Sequence, residues 1–234
     1  MAGQEGGVKM DVSLAGSDLF TTCNFALQNC ERPSGRLRSV GFAVPGLDGF
    51  QTQIPTPFEH DSYELTLEGF IHGGSAAALR SLVLGSVAWR ALVFSDLSPK
   101  WYQVQGQYVD ESRPGKASGL WPVEVGFVAS PGCLLGATVT DTTSPVANPG
   151  DFACPAVWTI AAAGAFTLTV GPCTARWNGG AGTVVINAVT CEVTVGGVAA
   201  PQYLAGGFPW LLPGNNAVTL TAGSFSCAFN PRYA

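Results

Sequence analysis

The sequence is short of charge. Asp, Glu, Lys and Arg make up 12% of its 234 residues, about half the usual share. The folded surface is therefore unusually neutral, which suits cover by partners. The basic sign is the scarcer one, 11 residues against 16 acids, for a net charge of −5. That excludes a protein that grips phosphates through a basic surface. Histidine is nearly missing, at two residues, and the seven cysteines contain no CxxC spacing, so no metal signature can be assembled. No run approaches the roughly 18 apolar residues needed to span a bilayer, and no membrane insertion is expected. The opening Met-Ala-Gly-Gln-Glu-Gly-Gly has neither the basic nor the apolar region of an export signal and reads as a polar arm.

Catalytic signatures are missing as well. There is no GxSxG nucleophile elbow. His60 stands between Glu59 and Asp61, where a carboxylate could orient a general base. A charged loop ahead of a strand explains the same residues, and His72 reads as a strand end. Gly-Gly-Ala-Gly at 179–182 lacks the Lys-Ser/Thr and the helix of a phosphate cradle and reads as a β-turn. Glu64 and Glu68 could serve as paired glycosidase carboxylates, yet they are two of thirteen acids before Leu134. No catalytic residue, cofactor or metal is assigned, and the chain is not expected to be an enzyme.

What is abundant is apolar residues, at 47%, with 30 Gly and 16 Pro: enough for a sizeable core and many turns. Charge is uneven. Nine Lys/Arg and thirteen Asp/Glu precede Leu134, and only Asp141, Asp151, Arg176, Glu192 and Arg232 follow it. With the Ser-Pro-Gly-Cys stretch at 130–133 this marks a boundary, giving expected domains 1–133 and 134–234. The first reads as strands at 39–44, 63–71, 91–94, 101–109 and 121–128 with one helix at 75–85, N-capped by Ser75 and carrying Leu79, Leu82 and Val83 at helical spacing. The second reads as strands alone, at 157–160, 166–170, 183–187, 189–195, 209–212, 217–221 and 224–229, the pattern of a sandwich or barrel. Pro-Gly-Asn-Asn at 213–216 reads as a turn with Gly214 or Asn215 at positive φ. The odd number of cysteines points to reduced thiols packed as small hydrophobes, Cys191 in its strand-like run included. Of the six tryptophans, Trp177 in Arg-Trp-Asn-Gly-Gly is the candidate exposed aromatic; an exposed Trp could form a sugar platform.

The order of these elements resembles the distal tail proteins of long-tailed bacteriophages. The likeness rests on a Gly-Leu-Asp-Gly turn at 46–49, Tyr-Glu-Leu-Thr-Leu-Glu-Gly at 63–69, the helix, Leu-Val-Phe-Ser-Asp at 92–96 and Trp-Tyr-Gln-Val at 101–104. It continues in Asn-Pro-Gly-Asp-Phe-Ala-Cys-Pro at 148–155, the glycine turns at 178–180 and 196–197, and Leu-x-Pro-Gly-x-Asn at 211–216. The resemblance implies a mainly β fold: an N-terminal tube-like split β-barrel or sandwich with one helix, and a C-terminal galectin-like β-sandwich. It implies a virion structural protein at the tail tip, assembled in the host cytoplasm. Residues 1–133 would form a homohexameric ring continuing the tail tube; residues 134–234 would dock baseplate, hub or receptor-binding proteins. The partners would be copies of itself, the tail tube protein and those tail-tip proteins, with DNA only in transit during genome ejection. Another tube or minor tail protein would show a similar first domain. The rival class is a carbohydrate-binding β-sandwich module.

A period of two gives the ring reading residues to test. Glu64, Thr66 and Glu68 share a strand face, Gln103, Gln105 and Gln107 form a polar stripe opposite Tyr102, Val104 and Tyr108, and Glu124 opposes Val123, Val125 and Phe127. These polar faces hold acids and amides but no Lys or Arg. An ordinary solvated sheet face accounts for polarity, but it would usually mix signs, since opposite charges pair favourably across strands. A DNA conduit has reason to avoid cations, which would hold the passing phosphates. Glu64, Glu68, Gln103, Gln105, Gln107 and Glu124 are therefore the candidate channel-lining residues.

Overall fold

The computed structural model describes residues 10–32, 40–43, 50–53, 62–72, 76–111, 120–130 and 134–233. The polar arm at 1–7, the turn at 46–49, His60 with its acidic neighbours, Ser75 and Cys133 lie outside them. The chain is mainly β and divides into two compact units: the first lies within the residues up to Leu134, and the second takes the residues from Leu135 on together with Gln53, so that the two-residue strand at 134–135 straddles the border.

Alternation builds the first unit. Its elements are β1 (Val12–Leu14), β2 (Ser17–Asp18), α1 (Leu19–Cys23), β3 (Phe25–Glu31), β4 (Val40–Ala43), β5 (Phe50–Gln53), β6 (Tyr63–His72), α2 (Ala77–Leu84), β7 (Arg90–Phe94), β8 (Tyr102–Glu111) and β9 (Leu120–Ala129). Seven strands form one sheet in the order β2-β1-β7-β8-β9-β6-β3, and β4 pairs with β5. Leu65, Leu67 and Ile71 of β6, Val104 and Val109 of β8, and Val123, Val125 and Phe127 of β9 are buried, as one sheet face must be when residues i and i+2 point the same way. Leu79 and Val83 of α2 and Leu19 and Cys23 of α1 join that core.

The helix at 75–85 is present as α2, with a different N-terminal cap. The N-cap position is Ala76, which has no capping side chain; instead Glu111 on β8 accepts the Ala76 N–H at 3.0 Å and pairs with Arg80 at 3.1 Å. A carboxylate there satisfies an orphan donor and the positive end of the helix. At the other end Arg90 donates to the Leu82 and Val83 carbonyls. Gly106 lets the helix approach β8, since a Cβ there would lie 2.2 Å from the Val83 oxygen. The helix α1 was not anticipated. It has five residues and is capped by Asp18, which accepts the Thr21 N–H at 2.7 Å.

The second unit is a two-sheet stack. It comprises β10 (Leu134–Leu135), β11 (Val139–Asp141), β12 (Val146–Asn148), β13 (Cys154–Ala162), β14 (Phe166–Val170), β15 (Cys173–Trp177), β16 (Gly182–Asn187), β17 (Glu192–Val195), β18 (Val198–Ala199), β19 (Leu204–Gly206), β20 (Trp210–Leu211), β21 (Gly214–Asn216), β22 (Val218–Leu220), β23 (Ser224–Phe229) and β24 (Arg232–Tyr233). One sheet runs β11-β23-β13-β16-β17-β18 and the other β19-β15-β14-β22. Trp158, Ile160, Val184, Ile186, Cys227 and Phe229 of the first meet Phe166, Leu168, Val170, Ala175, Trp177 and Val218 of the second in one core, the packing of a β-sandwich.

The stretch at 213–216, expected to be a turn, bends at Pro213 and then pairs: Gly214, at φ 84°, opens β21, which runs antiparallel to β12. The buried Asn216 staples it: its Oδ1 accepts the Leu212 N–H at 2.8 Å, and its Nδ2 donates to the carbonyls of Leu212 and Gly214 at 2.8 and 2.9 Å. Two residues depart from expectation. Cys191 is exposed and sits at φ 56° in the turn between β16 and β17, so it is no buried thiol. Trp177 is 1% exposed. The strand β15, unread in the sequence, continues the alternation through Ala175 to Trp177 and turns the indole inward. There it stacks on Phe166, meets Tyr203 edge to face and donates from Nε1 to the Gly180 carbonyl at 3.1 Å.

Candidate functional site

The outer face of β3, β6, β9 and β8 brings the predicted polar residues together. Strand register sets their order. Glu68 is the cross-strand partner of Asn29 on one side and Glu124 on the other, and Glu124 is in turn the partner of Asp110. The next row is Glu31, Thr66, Gly126 and Tyr108; the next is Glu64, Val128 and Gln105. Gln103 continues the face on β8, opposite Ala91. Three acids thus stand in line across three adjacent strands, with Glu31 and Glu64 in the rows beside them. Like charges directly opposite one another disfavour the folded sheet. Asn29 softens this by donating from Nδ2 to Glu68 at 3.3 Å.

One predicted placement changes. The register slips between Gly106 and Tyr108, leaving Gln107 outside the pairing and exposed. The bulge moves Tyr108 off the core side, where strict alternation had put it, and onto the acidic face. Its ring lies across Gly126: a Cβ on that glycine would come within 2.1 Å of the ring. The phenol donates to the Glu124 carboxylate at 2.7 Å. That bond, helped by burial, pushes the Tyr108 pKa up to about 12, because removing the proton would set a phenolate against a carboxylate.

Among the described residues no Lys or Arg shares this face. Arg32 lies over the Phe94 ring and pairs with Asp96 at 2.8 Å; Arg80 and Arg90 serve α2; Lys100 is in the turn before β8. Lys9, Arg36, Arg38, Arg113 and Lys116 fall outside the described residues. Asp110, Glu31 and Tyr108 belong to the face but were not singled out from the sequence. Their membership depends on the bulge and on pairing partners distant in the chain. No group of His, Cys, Asp and Glu among the described residues is arranged to hold a metal ion.

The second unit carries an open groove of about 370 Å3 lined by Trp177, Asn178, Val198, Gln202 and Tyr203. No charged side chain lines it.

Sequence comparison matches no family model and no curated protein. Structural comparison does find neighbours. The Dit protein of phage SPP1, described as a paradigm of the hub adsorption apparatus in phages infecting Gram-positive hosts, matches with a TM-score of 0.68 and 16% identity, over 96% of this chain and 99% of that one. Two structures of the phage P2 baseplate in its activated conformation, one with Ca and one with Sr, match at TM-scores of 0.48 and 0.45 with 8% identity, each over 95% of this chain and 98% of theirs. The chain therefore has the fold of the SPP1 Dit protein along nearly its whole length, the fold that the order of its motifs had suggested.

Proposed function

We propose that this chain is a structural protein of a phage tail tip. The observation that carries the reading is the fold shared with SPP1 Dit across both units. In this reading residues 1–133 close into a ring of six copies that continues the tail tube. Residues 134–234 form a galectin-like sandwich that decorates the ring and docks baseplate, hub or receptor-binding proteins. The ring assembles in the host cytoplasm and functions in the virion. The acidic face, with Glu64, Glu68, Gln103, Gln105, Gln107 and Glu124, lines the bore, and Glu31, Tyr108 and Asp110 line it with them. Its chemistry supports that role: among the described residues the face carries no Lys or Arg at which counterion release would hold the duplex. The carbohydrate-module reading loses its chosen aromatic, because the Trp177 ring is buried.

Negative-stain microscopy of the purified chain tests the proposal. The expected particle is a ring with a bore of about 20–40 Å, wide enough for a DNA duplex of roughly 20 Å. A population of single copies or two-fold dimers at every concentration would overturn it.

A further inference from the structure

The segment between α2 and β7 is an exposed apolar surface. Residues 84–89 read Leu-Gly-Ser-Val-Ala-Trp, without a charge, and Leu84, Val87 and Trp89 are 43%, 86% and 43% exposed. Single exposed apolar residues are ordinary; three within six residues, one of them a tryptophan, mark a contact surface. The segment is also held in shape. Gly85 N–H donates to the Ser81 carbonyl at 3.0 Å and Ala88 N–H to Ser86 Oγ at 3.1 Å. The Gln105 amide donates to the Val87 carbonyl, and Arg90 grips the end of the helix just before it. A surface already fixed loses little conformational freedom when a partner covers it.

Its position says which partner. Pairing of β7 with β8 ends at Arg90 opposite Val104, whereas β8 runs on to Glu111. The segment therefore flanks β8, and Gln105, a member of the acidic face, is the residue that ties it there. We infer that this segment is the surface on which a second copy of the chain sits beside the first. The inference rests on the ring reading and names the contact that closes the ring. Two copies carry the same net negative charge, and the described part of the acidic face offers no cation to a neighbour's acids. An uncharged surface lets copies pack side by side at its flank without burying an unpaired charge. Residues 84–89 are such a surface. A closed ring is heterologous, so the segment meets a different surface of the neighbour.

Light scattering on the full chain tests this by comparing wild type with Val87→Asp and with Val198→Asp, a control at a 70%-exposed valine of the second unit. Both side chains are exposed enough to change without unfolding, which the thermal midpoint checks. Wild type and Val198→Asp should assemble alike, while Val87→Asp should need at least about tenfold more protein to do so. A Val87→Asp ring forming at the wild-type concentration would overturn the inference and leave the ring reading standing. A wild type that never assembles would overturn both.

Discussion

Tyr108 shows how one side chain organises the candidate site. Its phenol reaches Glu124 because the bulge after Gly106 turns it outward and Gly126 leaves room beneath the ring. The folded-state pKa lies above the ordinary value near 10, so the bond stabilises the fold fully below pH 10 and that contribution disappears as pH rises through about 12. In an ultraviolet titration Tyr108 should ionise late, and so should Tyr102, which burial pushes up. Tyr108→Phe should remove the late Tyr108 step, Gly126→Ala should bring that step back toward the ordinary value near 10 by pushing the ring off Glu124, and both should leave the step of Tyr102; a titration unchanged by both would show that the bond does not form. The thiols make a second residue-scale test. Burial raises the pKa of Cys227, and Cys154 is equally enclosed. Cys191 is exposed, so timed alkylation read by mass spectrometry should label Cys191 well before Cys154 or Cys227. A disulfide joining any two of these three would contradict the reading of free thiols.

At the scale of elements, two staples hold unlike pieces. The helix α2 is fixed to β8 by Glu111 at its start, Arg90 at its end and Gly106 beneath it. Gly106→Ala would force a Cβ against the Val83 carbonyl and should destabilise the first unit by about 1–3 kcal/mol in denaturant unfolding, leaving the second unit's transition in place. In the second unit Asn216→Ala should cost about 1–3 kcal/mol, because it orphans the Leu212 N–H and carbonyl. A β-branched residue at Gly214, whose φ is 84°, should cost about 1 kcal/mol or more. These elements also show what a sequence makes legible. The strands β6 and β14 alternate cleanly over five residues or more, and α2 declares itself through Leu79, Leu82 and Val83. The helix α1 and the shortest strands carry two to five residues, too few to display a period. Their place comes from partners far along the chain. The strand β15 was hidden by the Arg-Trp-Asn-Gly-Gly context, which resembles a loop, and Trp177 was therefore read as exposed. The cap Glu111 lies 35 positions from the N–H that it accepts, beyond the reach of a local capping rule.

For the whole molecule, the central matter is why a sheet keeps acids in line across neighbouring strands. Glu68, Glu124 and Asp110 oppose one another at a cost to the sheet. Glu68→Gln should accordingly raise the thermal midpoint of the first unit at low ionic strength, and added salt should shrink the difference. A midpoint that falls would mean that the row stabilises the fold and needs no other reason. The polar character of this face was legible from the period of two on β6, β8 and β9. Its full membership was not, since Asp110, Glu31 and Tyr108 join it through register and a bulge. Replacing both Glu64 and Glu68 with Lys should leave the ring assembled but slow genome ejection, most strongly at low salt. The most direct test of the account is an electron-microscopic reconstruction of the assembled ring that resolves where this face points. Glu64, Glu68, Asp110 and Glu124 should lie on the wall of the bore, with residues 84–89 against the neighbouring copy. The same carboxylates on the outer wall or inside a subunit contact would contradict it.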